Sequence, residues 1–155
     1  MGEHPALAEF KQGIHLLRDG HSADAVEYMR RACELKQQEP YYLSFLGLSI
    51  ARAQRKWGAA ATLCETAVGL RRNDVQLYLN LAEVYMSAGR REDAVETLDT
   101  GLRCCGPDAR MRELRAGLGR RSSPVLTFLA REHVLNRGLG KLRHRLLGSP
   151  KKSQN

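Results

Sequence analysis

Four cysteines, one tryptophan and three phenylalanines are all that the 155 residues hold of those types. The cysteines, at 33, 64, 104 and 105, form no C-x-x-C, and no histidine stands at a spacing that completes a zinc site. No metal is expected. Free buried thiols are, and they fit a reducing cytoplasm. Long apolar runs are missing too: nothing reaches the roughly 18 consecutive apolar residues of a membrane-spanning helix. The start, MGEHPALAEF, has no apolar run after a basic stretch, so no secretory signal is expected. His4-Pro5-Ala6 after Gly2 matches a myristoylation signal poorly. A Gly-rich phosphate loop is lacking, so no nucleotide cofactor is expected. His15, His21, His133 and His144 make no i, i+4 ligand pair, and Ser122 and Ser123 have no acid–base pattern beside them. Cys104-Cys105 fall at a predicted helix C-terminus, where the dipole raises a thiol's pKa rather than lowering it. No catalytic, cofactor-binding or metal-ligating residue is expected, and no enzyme.

Hydrophobic residues make up 43% and charged residues 27%, which is a globular balance. The five prolines mostly fall at helix starts or breaks, and nothing reads as a run of strands. The fold class expected is all-α. Positive charge is unevenly placed. Residues 1–102 carry 12 Lys/Arg against 14 Asp/Glu, a net −2, and residues 103–155 carry 13 against 3, a net +10. Such a basic end suits an acidic surface or simply faces water.

The most informative stretch is LNLAEVYMSAGRREDAVETLDTGL, residues 79–102. Leu81, Ala82 and Tyr85 share one helical face, Gly89 breaks the helix, and Ala94, Leu98, Gly101 and Leu102 face inward from a second helix. The same spacing recurs upstream. Gly13, Gly47 and Ala82 are 34 and 35 residues apart; Ala25, Ala60 and Ala94 are 35 and 34 apart, as are Ala32, Ala67 and Gly101. The spacing predicts helices over 6–19 and 23–37, over 40–54 and 57–70, and in the two halves of 75–105. Ser22 is the expected N-cap of the second, and Asn73-Asp74 caps the fifth. The second helix should bury Ala25, Val26, Met29, Ala32, Cys33 and Leu35. Repeat two holds one extra residue, expected in its internal turn.

These residues resemble the tetratricopeptide repeat, whose pattern is an aromatic, Leu-Gly, Tyr, Gly, Ala, a large apolar residue and Ala. Tyr78, Leu81-Ala82, Tyr85, Gly89, Ala94, Leu98 and Gly101 follow it in repeat three. Leu43, Leu46-Gly47, Ile50, Ala60, Cys64 and Ala67 follow it in repeat two. Repeat one matches at Gly13, Gly20, Ala25, Met29 and Ala32, and departs at Glu9 and Gln12. The resemblance implies an α-solenoid of three helix pairs over 6–107, divided as 6–39, 40–74 and 75–107. A capping helix is expected over 108–119, with Asp108 as N-cap and Met111, Leu114 and Leu118 inward. A basic amphipathic helical tail over 120–147 follows, with Arg137, Lys141, Arg143 and Arg145 around a leucine stripe, then a disordered end, 148–155.

The resemblance also implies a groove walled by the first helix of each pair. Repeat one would supply Phe10, Lys11, Ile14 and Arg18. Repeat two would supply Tyr41, Ser44, Phe45, Leu48 and Arg52, and repeat three Gln76, Leu79, Asn80, Glu83 and Met86. Such a wall suits an extended peptide or an amphipathic helix. Members that hold the carboxylate end of a chaperone peptide carry a clamp of Lys, Asn and Arg. The matching positions here are Phe10, Ile14, Phe45, Gln76 and Asn80, which supply almost no positive charge, so no such clamp is expected. The function expected is a non-catalytic protein-binding adaptor in the cytoplasm. The alternatives are a small secretion chaperone of the same repeat type, and a factor that meets an anionic membrane, an acidic protein or nucleic acid through the tail. Nucleic acid is the weaker of these, since no aromatics interleave the basic residues.

Overall fold

The computed structural model describes residues 4–119. Expectations for the tail, including Arg137, Lys141, Arg143 and Arg145, lie outside the described residues. Among the described residues seven helices follow one another: α1 Pro5–Arg18, α2 Ser22–Leu35, α3 Pro40–Gln54, α4 Trp57–Leu70, α5 Val75–Ser87, α6 Arg91–Cys105 and α7 Ala109–Gly119. No strand occurs among the described residues.

Local chemistry accounts for the helix ends. Pro5 and Pro40 open α1 and α3, where a missing N–H costs nothing. Asp74 Oδ1 accepts from Gln76 N at 3.0 Å, and Asp108 Oδ1 from Met111 N at 3.1 Å, so both aspartates cap as expected. Ser22 does not cap: it is the first residue of α2, and His21 precedes it with no side-chain cap bond. The reason is the turn before it. Gly20, at φ +85°, swings the chain so that His21 N reaches Leu16 O at 2.8 Å. Gly89 does the same after α5, with Arg90 N on Tyr85 O at 2.8 Å. In the middle repeat Arg55 holds the left-handed place, at φ 55°. The extra residue of repeat two is not in the turn. After its matched glycine α3 runs on to Gln54, and the turn shrinks to Arg55-Lys56.

Each pair closes on small residues. Gly13 faces Met29, Gly47 faces Ala60 and Cys64, and Gly101 faces Met111 and Tyr78. A first cluster joins Leu17, Val26 and Met29 with Leu46, and a second joins Ala6, Ala32 and Tyr42. The largest runs from Leu48 through Tyr78, Leu81 and Tyr85 to Leu98, Met111 and Leu118. Polar bonds tie neighbouring pairs at the edges: Arg71 to Glu39 at 3.3 Å, Tyr78 Oη to Arg72 O at 2.9 Å, and Arg115 to Asp99 at 2.8 and 3.2 Å. Tyr85 Oη donates to Glu65 Oε1. Leu35 departs from expectation. It ends α2 on the exposed side, because the helix stops there and no neighbour reaches it.

The thiols divide by burial. Cys64 is buried and donates to Ser44 O at 3.4 Å, and burial pushes its pKa up to about 12. Burial first, then Glu34, lifts Cys33 to about 11. Cys105 is half-buried and shifted upward by burial, then by Cys104. Cys104 is exposed, contrary to the expectation of buried thiols, because it closes the outward side of α6. The expected order of alkylation by iodoacetamide is Cys104 first, with Cys64 protected until the chain unfolds. Peptide mapping of a time course checks this, and early modification of Cys64 would contradict the packing.

Candidate partner groove

The odd helices neighbour one another, α1 with α3 and α3 with α5, while the even helices pack against odd ones. The odd helices therefore share one side of the stack, the side that the resemblance makes the groove wall. Side-chain contacts cross their seams. The Phe10 ring lies 4.7 Å from Tyr42 and 5.5 Å, edge-on, from Phe45. Arg52 on α3 reaches Glu83 on α5, with Nε at 2.8 Å and Nη2 at 2.6 Å from the same Oε1.

Eleven of the fourteen residues expected in the groove stay at least partly accessible. Phe10, Ile14, Tyr41, Phe45, Gln76, Leu79 and Glu83 are half-buried, and Lys11, Arg18, Arg52 and Met86 are exposed. Ser44, Leu48 and Asn80, also expected there, are buried instead. Leu48 is 4% exposed and Asn80 2% exposed. Leu48 lies on the central helix, flanked on both sides, and joins the core with Ala61 and Leu81. Asn80 sits at the α3–α5 seam. Its Nδ2 donates to Ser44 Oγ at 3.0 Å, and its Oδ1 accepts from Gln76 Nε2 at 2.8 Å. Ser44 is buried by the same bond, and Gln76 in turn accepts from Arg110 of α7 at 3.3 Å. This chain of amides locks three odd helices together rather than facing a ligand.

Leu7 holds a matching place on α1 that the sequence reading passed over. Leu7, Tyr41 and Gln76 are 34 and 35 residues apart, so the repeat spacing alone would have found it. It is 38% exposed, as is Met86. The wall is thus apolar in its floor and cationic at Lys11, Arg18 and Arg52. Among the described residues no group of three His, Cys, Asp or Glu could hold a metal, and no helix is long and apolar enough to cross a membrane.

Residues 51–118 match the family model of the tetratricopeptide repeat. Solved structures agree over a longer span. The fold is a tetratricopeptide-repeat solenoid. The repeat domain of Sgt2 from Aspergillus fumigatus aligns at a TM-score of 0.66 and 15% identity, over 86% of this chain and 93% of that one. The second tetratricopeptide-repeat domain of human RPAP3, solved with the HSP70 peptide SGPTIEEVD, aligns at 0.64 and 14%, over 76% and 97%. The type III secretion translocator chaperone SycD of Yersinia enterocolitica aligns at 0.63 and 14%, over 76% and 89%. At these identities what is shared is the tetratricopeptide-repeat fold. No curated protein matches in sequence.

Proposed function

We propose that this chain is a non-catalytic adaptor that holds a segment of another protein in the groove of α1, α3 and α5. The observation that carries the reading is apolar surface left uncovered on these helices: Leu7 and Met86, together with half-buried Ile14, Phe45 and Leu79. Apolar side chains gathered in a concave wall and rimmed by charge suit an amphipathic partner. The second RPAP3 domain was solved in complex with the HSP70 peptide SGPTIEEVD. The places for a carboxylate clamp here hold Phe10, Ile14, Phe45, Gln76 and Asn80, and the Asn80 amide is already taken by Ser44 and Gln76. That supports binding by apolar anchors rather than by a chain end. In this reading α7 closes the stack and the fold carries no active site. The net +10 of residues 103–155 supports a second reading, in which the basic end binds an anionic surface.

The test is quantitative capture from native lysate with the full chain and with the double variant Leu7→Ser, Met86→Ser. Both residues are exposed, so the circular dichroism and melting of the variant should be unchanged. Proteins held by the groove should fall at least fivefold. Partners retained in full by the variant would overturn the reading, and partners lost instead at high salt would favour the basic end.

A further inference from the structure

The groove has a charged edge as well as an apolar floor. Arg18 ends α1 and Arg52 lies in the last turn of α3. They are 34 residues apart, so they hold matched places on neighbouring helices. Packed helices lie about 8–10 Å apart, so a spacing of that order is expected for the two positions. Arg18 is exposed and makes no ion pair or hydrogen bond among the described residues. Arg52 spends Nε and Nη2 on one oxygen of Glu83, and its side chain and that of Glu83 are 39% and 40% exposed. A screened pair of this kind exchanges partners at little cost. The other carboxylates of these helices point elsewhere: Glu9 turns its buried Oε2 toward Arg31 on α2 at 4.0 Å without a hydrogen bond, and Asp19, just past α1, pairs with His15. Glu83 is thus the one acid set against this cationic edge among the described residues of α1, α3 and α5.

We propose that the groove selects an amphipathic protein segment with acidic residues beside its apolar anchors, and that Arg18 and Arg52 read those carboxylates, Arg52 giving up Glu83 for the ligand. This rests on the groove reading above. The charge complementarity argues for an acidic partner and against the chain's own basic end, which would meet Arg18 and Arg52 with like charge. Two carboxylates at about 10 Å fit positions seven apart in a helix, at about 1.5 Å per residue.

The test uses the full chain and three fluorescein-labelled helical peptides with identical leucine anchors. They carry two Glu, two Gln or two Lys, seven residues apart on the polar side. Fluorescence anisotropy should show the Glu peptide binding at least fivefold tighter than the Gln peptide, with the Lys peptide weakest. Arg18→Gln with Arg52→Gln should bring the Glu-to-Gln ratio near one. Glu83→Gln should tighten the Glu peptide about two- to threefold, because Arg52 loses its competitor. Equal binding of all three peptides, or a preference for Lys, overturns the proposal and leaves the groove reading standing. A Glu preference that survives in the double arginine variant also overturns it and moves the preference to other cations, such as Lys11 or the basic end. If no peptide binds, or if Leu7→Ser with Met86→Ser leaves every affinity unchanged, the groove reading fails as well. The groove is then filled by the chain itself or a second copy, or it is no binding site.

Discussion

Replacing Gly47 with alanine should lower the stability of the chain by about 2 kcal/mol, and the melting temperature by about 8 °C at about 4 °C per kcal/mol. Alanine is normally the better helix former, by about 1 kcal/mol. Here the added Cβ would sit 2.7 Å from the Ala60 carbonyl oxygen and 2.7 Å from Cys64 Sγ, with Leu63 Cβ at 3.3 Å. The Ala60 oxygen belongs to the backbone of α4 and cannot turn aside. The two helices of the middle pair would have to part, and Cys64, fully buried between them, would lose its bond to Ser44. Gly13 offers the control. Its Cβ would meet the methyl end of Met29 at 2.8 Å, and a methionine can swing away. Gly13→Ala should therefore stay within about 1 kcal/mol of the parent. Thermal melts of both variants check the pair. A Gly47→Ala chain as stable as the parent would mean that the middle helices are not in contact at this point.

Met111→Asp should have an effect as large but confined to one end. Met111 is fully buried, packed against Gly101 and Tyr78, and it joins α7 to the last pair. Losing its burial costs about 2–3 kcal/mol, and an unpaired carboxylate in its place adds at least about 1–3 kcal/mol more. The chain need not unfold to relieve this. Helix α7 packs chiefly on α6, so it can detach while the pairs behind it remain. A stack whose units touch only their neighbours fails locally. Hydrogen exchange should speed up across 98–119 and stay unchanged in α1 to α4. Met111→Leu, which keeps the volume, should stay within about 1.5 kcal/mol of the parent. Equal loss of protection along the whole chain would show a single cooperative unit instead.

The architecture was legible because a helix pair needs small residues at its crossing and punctuation at its ends. Gly13, Gly47 and Gly101 mark the crossings, and Gly20, Gly89 and Asp74 mark the ends. Both signals recur with the repeat, so each copy supports the others. The groove was less legible, for a physical reason. Equivalent positions share a sequence place but not a place in the stack. Leu48 and Ile14 are matched residues, yet Ile14 on the first helix stays half-open while Leu48 on the central helix is covered from both sides. Asn80 shows a second reason. Its amide is satisfied by Ser44, 36 residues away on another helix, and no local pattern announces that bond. Ser22 shows the reverse case, in which a good capping residue is displaced by the geometry of the turn before it.

The face built by α1, α3 and α5 is the one proposed to hold a partner. Site-specific photo-crosslinking inside the native cell tests it most directly. A benzophenone amino acid would be placed at Met86 or Leu7 on the inner wall, or at Thr62, exposed on α4. The expected result is a discrete crosslinked protein from Met86 and Leu7, lost when Arg52 is also replaced by glutamate, and none from Thr62. A discrete product from Thr62 alone, with the inner wall silent, would contradict the account and move recognition to the outer helices.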